Sequence, residues 1–300
     1  MKAAEGLDIY IKMIKFFFNY INRTYSNIIT KISNLFVKKS VMIIVNVNSN
    51  KCYDIVKESI QNYVCEDVLH LILSYFPNPL NNENIHQAVK DYLSDDKDRK
   101  QQVIEIYGPI SNWDVSHVTK MQNLFKDKEY FNESLNKWDV SNVINMNNMF
   151  CRTKHFNEDI SNWNVSNVKS MSGMFNGAES FNQPLNNWDV SNVINLVGMF
   201  YYAKAFNQPL NNWNMSNVTS MKFMFYNAIS FNQDINNWDV SNVIEMNGMF
   251  MDAKKFNKPL NNLDISKLKI MNHMFNVANL LPDYCKFTNK QLNYLIKRIK

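Results

Sequence analysis

Asp114, Asp139, Asp189 and Asp239 recur at multiples of 25 residues, with Asn164 and Asn214 filling the intervening places. A regular row of carboxylates could hold a divalent cation or meet a basic partner. The same side chains suit a second role, because an Asx side chain accepts a hydrogen bond from the backbone two residues on and stabilises a turn. Their uniformity between copies favours the turn. A second set of polar and aromatic residues differs from copy to copy: Arg152, Lys154, His155, Glu179, Tyr201, Tyr202, Lys204, Tyr226, Lys254 and Lys255. Repeats vary where structure does not dictate the residue, so these are the better candidates for specificity towards a partner.

Nothing else in the chain assembles into reactive chemistry. The histidines His70, His86, His117, His155 and His273 are scattered, with no H-E-x-x-H. Cys52, Cys65, Cys151 and Cys285 lack C-x-x-C spacing, which argues against a zinc site or a disulfide framework. The six glycines form no phosphate cradle, and no serine or cysteine sits in a nucleophile elbow. The expectation is a protein with no catalytic, metal or cofactor site. Cysteine usage fits a reducing, cytoplasmic compartment, with the cell surface as the alternative.

The elements that must carry these residues are repeats. Residues 101–283 are seven copies of one 25-residue unit without insertion or deletion. Trp113, Trp138, Trp163, Trp188, Trp213 and Trp238 mark six of them, and Leu263 takes the seventh place. The best-formed copies read L-N-N-W-D-V-S-N-V-x-x-M-x-G-M-F-x-x-A-x-x-F-N-Q-P. A fixed period of this size means a solenoid, in which each unit buries its apolar face only against its neighbours.

Within the second copy, Leu135, Trp138 and Val140 suit a short strand with Asp139 on its opposite side. Ser141 and Asn142 break it. Val143, Met146, Met149, Phe150 and Thr153 continue at spacings of three and four, which predicts a helical turn or two. Thr153 becomes Ala178, Ala203, Ala228, Ala253 and Ala278 in later copies, a small residue where neighbours crowd. The asparagine after each closing phenylalanine, such as Asn157, suits a ladder from unit to unit. With strands about 4.8 Å apart, seven units predict a rod or arc of roughly 34 Å.

Tryptophan columns invite a sugar-stacking reading, but magnitudes assign them to the core. Buried, the six would contribute roughly 22–37 kcal/mol gross, and a short unit cannot forgo that and still offset its backbone entropy.

The W-D-V-S-N-V-x-x-M-x-x-M-F-x-x-A-x-x-F-N pattern resembles the BspA-type leucine-rich repeat family, and Tyr107-Gly108-Pro109-Ile110 matches the start of that family's domain. The likeness runs from Gln87 to about Pro282. It implies an α/β, leucine-rich-repeat-like solenoid used for adhesion or protein interaction, as in bacterial surface proteins, protists and large DNA viruses. The first copy departs from the pattern with Lys128 in the small-residue place, and the last loses its tryptophan.

Outside the repeats the chain reads as a small, mainly helical amino-terminal unit. Net charge is +5, yet residues 1–40 and 284–300 hold 12 of the 32 basic residues and two of the 27 acids. That leaves an acidic middle, which argues against a nucleic-acid groove along the repeats. Residues 1–40 form a basic amphipathic arm. It either packs as helices, lies on a membrane surface through residues 8–38, or is an export signal. Residues 41–83 form a small helical unit in which Val64–Phe76 resembles the first helix of an F-box. That likeness lacks the usual proline at Cys65 and the second half of the motif. An F-box-like role would present Leu69, Ile72 and Leu73 to a ubiquitin-ligase linker; an ordinary amphipathic helix would bury them. Residues 84–110 read as the amino-terminal cap of a solenoid over 111–283, and 284–300 as a basic closing helix. Within 84–110, Ile85, Ala88, Val89 and Leu93 make one helical face, and the charged run after Ser94 reads as a solvated turn. The function expected is non-enzymatic recognition of a protein partner. A substrate adaptor of a ubiquitin ligase and a surface adhesin or membrane-attached protein are the rivals.

Overall fold

The computed structural model describes residues 79–274. Backbone contacts divide the chain into two units, Met1–Pro79 and Leu80–Lys300, and the described residues from Leu80 onward lie in the second. That unit opens with α1 (Ile85–Tyr92), α2 (Lys97–Tyr107) and a single 3₁₀ turn (Ile110–Asn112). Buried Ile85, Ala88, Val89 and Tyr92 recur at spacings of three and four, so α1 turns one apolar face inward. Leu93 packs against the same core.

The charged run expected as a turn instead starts α2. Asp96 caps it, its Oδ1 accepting from the backbone N–H groups of Asp98 and Arg99 at 3.1 and 3.2 Å. Asp98 in the first turn complements the positive helix end. Gly108, at φ +72°, ends the helix in a backbone conformation that side chains disfavour.

From Trp113 onward the described chain contains no helix and no named strand, only turns joined by isolated parallel bridges. The bridges fall one per interface, at Lys120–Asn145, Asn145–Ser170, Ser170–Asn195, Asn195–Ser220, Ser220–Glu245 and Glu245–Ile270. The helix and the strand expected within each copy are therefore both replaced. Backbone N–H groups from Met146 to Thr153 alternate between two destinations. Met146, Asn148, Phe150 and Arg152 donate forward to the carbonyls of Ser170, Ser172, Met174 and Asn176 in the next unit. Met149, Cys151 and Thr153 donate back three residues within their own unit. An α-helix would send every donor to its own chain; here half are committed to the neighbour.

This path buries the residues that the spacing marked while changing the element that holds them. Met146, Met149, Phe150, Thr153 and Phe156 are all inside, and Trp138 and Val140 are buried with Asp139 exposed. Side chains then stack in columns along the repeat. The phenylalanines of the first column, from Phe125 to Phe250, lie 5.4 to 5.7 Å apart between ring centroids. Those of the second, from Phe131 to Phe256, lie 5.9 to 6.1 Å apart. All six tryptophans are buried. Pairs such as Trp163–Trp188 stack at 6.5 Å with planes 3° apart.

Each tryptophan is also tied to the unit before it. The indole N–H of Trp138, Trp163, Trp188, Trp213 and Trp238 donates to the carbonyl of Ile110, Leu135, Ile160, Leu185 and Leu210 respectively. Trp113 has no preceding unit, and its indole donates to Gly108 O at 3.0 Å instead. Tyr92 and Tyr107 pack against its ring in place of another tryptophan. Asn82 completes the substitution: its Oδ1 accepts from Thr119 N and Lys120 N, where later units offer a backbone carbonyl. Where alanine recurs in later units the second carries Thr153, fully buried, and its hydroxyl is satisfied by donating to Phe125 O at 2.9 Å.

Separate substitutions at Trp188 test the two contributions of this column. Trp188→Phe keeps an aromatic ring but removes one of the two hydrogen bonds that Ile160 O accepts, the other coming from Trp163 N, and is expected to cost about 0.5–1.5 kcal/mol. Trp188→Ala also opens a cavity and should cost about 3–5 kcal/mol or more. Urea unfolding followed by circular dichroism measures both. Equal losses for the two variants would show that ring packing contributes nothing beyond the hydrogen bond.

Candidate functional site

The acidic row is occupied with turn building. The side-chain oxygens of Asp114, Asp139, Asn164, Asp189, Asn214, Asp239 and Asp264 each accept from the backbone N–H two residues on, at 2.9 to 3.2 Å. Asparagine serves as well as aspartate at Asn164 and Asn214, so the acceptor matters and the charge does not. The serines' neighbours continue the framework, with Asn142, Asn167, Asn192, Asn217 and Asn242 donating through Nδ2 to the serine carbonyl of the previous unit. The asparagine after each closing phenylalanine forms the ladder expected of it: Asn182 N donates to Asn157 Oδ1, and Asn207 N to Asn182 Oδ1. No group of three or more metal-binding side chains occurs among the described residues.

The hydrogen bonds lower the carboxyl pKa of Asp189 and of Asp239, through the Ser191 and Ser241 side chains first and their backbone N–H groups second. At Asp159 the backbone N–H of Ser161 leads, followed by its side chain.

The varied residues divide into two kinds. Arg152, Lys154 and Lys204 each reach back one unit to an acid: Arg152 Nε to Asp127 Oδ1 at 2.6 Å, Lys154 to Glu129 at 3.1 Å and Lys204 to Glu179 at 2.8 Å. These exposed pairs are worth roughly 0.2–1 kcal/mol each, and their charges are already partnered within the chain. His155 stacks on Tyr130 with centroids 5.0 Å apart. Lys254 is exposed, with no ion pair among the described residues; the place one unit back is Ile229.

The second kind forms a cluster. Tyr201 and Tyr226 come from adjacent units and stack at 4.7 Å with planes 9° apart. Tyr202 packs on both, at 4.9 and 5.5 Å. Phe223 joins edge-on, at 6.4 Å from Tyr201 and 6.2 Å from Tyr226. Burial raises the Tyr201 hydroxyl pKa, with Tyr202 adding. Burial leads at Tyr226 too, followed by the charges of Tyr202 and Tyr201, a hydrogen bond with Tyr202 and the charge of Asp252.

The backbone beneath this cluster is strained. The place of Phe223 has positive φ in all seven units, and the others hold Asn123, Asn148, Gly173, Gly198, Gly248 and His273. The place of Tyr202 has positive φ in six, where the rest hold Asp127, Arg152, Gly177, Asn227 and Asp252. Asparagine, aspartate and glycine tolerate this region; a large aromatic there costs on the order of 1–2 kcal/mol. Ring contacts at about 0.5–1.5 kcal/mol each offset that cost without leaving folding a clear gain. Phe223 also depends on its neighbour, because a Cβ at Gly248 would lie 2.5 and 2.6 Å from its ring carbons Cδ1 and Cε1. Phe223 was not among the residues that sequence reasoning singled out. The signal was available: it is the one phenylalanine in a column of asparagine, glycine and histidine.

The adaptor candidates Leu69, Ile72 and Leu73, the arm at 8–38 and the closing segment 284–300 lie outside the described residues. No helix among the described residues is long and apolar enough to cross a membrane.

The stacked 25-residue units define a repeat protein. The chain belongs to the family described as Mycoplasma protein of unknown function, DUF285, whose profile matches residues 97–210 and 183–287. That family is related to the BspA-type repeat proteins. No curated protein and no solved structure matches the chain.

The turn role of the acidic row carries a pH signature. A carboxyl whose pKa is lowered by folding adds stability above its ordinary value of 3.8, and that stability is lost as pH falls through the lower folded value. Asp189→Asn/Asp239→Asn should therefore leave the thermal midpoint at pH 7 nearly unchanged and flatten its fall below about pH 4. Asp189→Ala/Asp239→Ala should lower the midpoint at every pH. Differential scanning calorimetry across pH 2.5 to 7 (about that span) separates these outcomes.

Proposed function

We propose that the seven repeats form a leucine-rich-repeat-like solenoid and that the chain is a non-enzymatic interaction protein, recognising a protein partner through the varied side chains between its turns. One observation carries the reading. The tryptophan, valine, methionine and phenylalanine places are closed in unit after unit, while the place of Tyr201 holds Lys126, Asn176, Tyr226 or Met251 in other units, each at least partly open to solvent, and a buried Cys151 in the second. Interior sameness with exterior variety is what an array needs when its surface is selected for recognition and its core for stacking. Membership of a repeat family related to BspA-type proteins is consistent with a surface or interaction role. The three ion pairs at Arg152, Lys154 and Lys204 hold their side chains in place, and a contact that uses them loses less side-chain entropy on binding.

Photo-cross-linking with the full-length chain tests this. A benzophenone side chain is placed singly at Lys154, Lys204 or Lys254, and for comparison at the turn positions Ser141, Ser191 and Ser241. Incubation with extract of the source cells should give a discrete protein adduct from the first set and none from the second. Adducts from neither set, or equally from both, would count against a recognition surface made of the varied residues.

A further inference from the structure

Resting on that reading, we propose that Tyr201, Tyr202, Phe223 and Tyr226, with the Asp252 carboxylate beside them, take an arginine side chain from an extended segment of the partner protein. Two of these aromatics occupy positive-φ places, at φ +57° in both Tyr202 and Phe223, where the other units use asparagine, glycine or aspartate save for Arg152 and His273. Strain kept at a solvent-facing site, where folding gains nothing clear from it, marks a binding function. Phe223 is 37% exposed, among the few large apolar residues to be so.

The arrangement selects a flat cation. Tyr201 and Tyr226 stack directly on one another at 4.7 Å, so no slot is left between them for a proline or sugar ring. Aromatic faces attract a guanidinium, which also stacks as a plane. Among the described residues the cation placed over a ring is Lys100, 5.3 Å above Tyr92, and none is placed over the rings of this cluster.

The repeat itself supplies the precedent for the charge. In the second unit Arg152 grips Asp127 of the first by two contacts, Nε to Oδ1 at 2.6 Å and Nη2 to Oδ2 at 3.2 Å. Asp252 stands at the same place in the sixth unit as Asp127 in the first. It is half-buried, carries no ion pair among the described residues, and has Val277 rather than arginine at the place one unit further along the sequence. Its charge reaches Tyr226. A guanidinium from outside, stacked on the tyrosines, would complete at Asp252 the pair that the chain makes internally at Asp127.

The test is a selection of phage-displayed random dodecapeptides on the immobilised full-length protein, followed by fluorescence anisotropy with the synthesised winners. Tyr202→Asn/Phe223→Gly and Asp252→Asn serve as comparisons. The first variant installs residues that other units carry at those places, so its thermal midpoint should hold or rise. Enriched peptides should contain arginine, and should lose about tenfold in affinity for the double variant, about 1.4 kcal/mol, with a several-fold loss for Asp252→Asn. No enrichment, arginine-free or proline-rich winners, or undiminished binding to the double variant would overturn the proposal. Cross-linking from Lys204 and Lys254 keeps the two readings apart. Adducts there together with cluster-independent peptides would leave the interaction reading standing and this one refuted, whereas failure of both experiments refutes both.

Discussion

Everything in the repeat depends on how its backbone donors are shared. From Met146 to Arg152 every second N–H leaves the unit for a carbonyl 24 residues further on, and those between them close turns within it. A chain in this conformation cannot satisfy itself. Each lost inter-unit bond would leave a buried group unpaired at about 1–3 kcal/mol, and four such donors cross the interface after Met146, as they do the one after Met171 and the one after Met221. Insertion or deletion would shift all four at once, and would also move phenylalanine out of its column. The period of 25 held across seven copies is the sequence consequence of that coupling.

The same coupling explains the beginning of the array. A first unit has forward bonds but nothing behind it, so its orphaned groups need substitutes of the same geometry. Gly108 O receives the Trp113 indole, Asn82 Oδ1 receives Thr119 N and Lys120 N, and Tyr92 and Tyr107 stand in for a preceding tryptophan. Tyr92 also donates to Glu133 Oε2 at 2.9 Å, tying α1 to the first unit from the side. The two helices are there to present these few atoms; α2 itself buries only Val103.

Which side chains lie inside was legible in the sequence, and how the backbone carries them was not. Val143, Met146, Met149, Phe150 and Thr153 at spacings of three and four are buried as expected, because a succession of tight turns advances its side chains with nearly the same rhythm as a helix. Periodicity reports which face is apolar; it does not report where the N–H groups go. The distinguishing mark was the glycine of M-x-G-M-F. An interior helix would lose about 1 kcal/mol to that residue in each copy that carries it, whereas Gly173, Gly198 and Gly248 hold positive φ that other residues resist. Asn123 and Asn148 in the same column point the same way. The acidic row was legible as turn chemistry because asparagine replaces aspartate within it. The aromatic cluster was not legible as a unit, since Phe223 meets Tyr201 only after a register of 25 folds distant residues together.

A structure built this way has little freedom in where it can place function. Interior columns admit almost no change, because within the two phenylalanine columns the inner rings are stacked on the rings of both neighbours, and the tryptophans stack in pairs. The turn columns need an acceptor or a small donor at nearly every place. What remains are the outward places, and two of those columns require positive φ, so even there asparagine and glycine are the restful choices. Arg152 departs from that preference and uses its length to neutralise Asp127. Tyr202 and Phe223 depart from it without neutralising anything, and both pack on Tyr201 and Tyr226. Two such departures in adjacent units, meeting in one cluster, are difficult to attribute to drift in columns that elsewhere hold mostly asparagine, glycine and aspartate. In an array whose stability comes from sameness, a local break in the pattern that stacking does not require is the place where selection for something other than folding becomes visible.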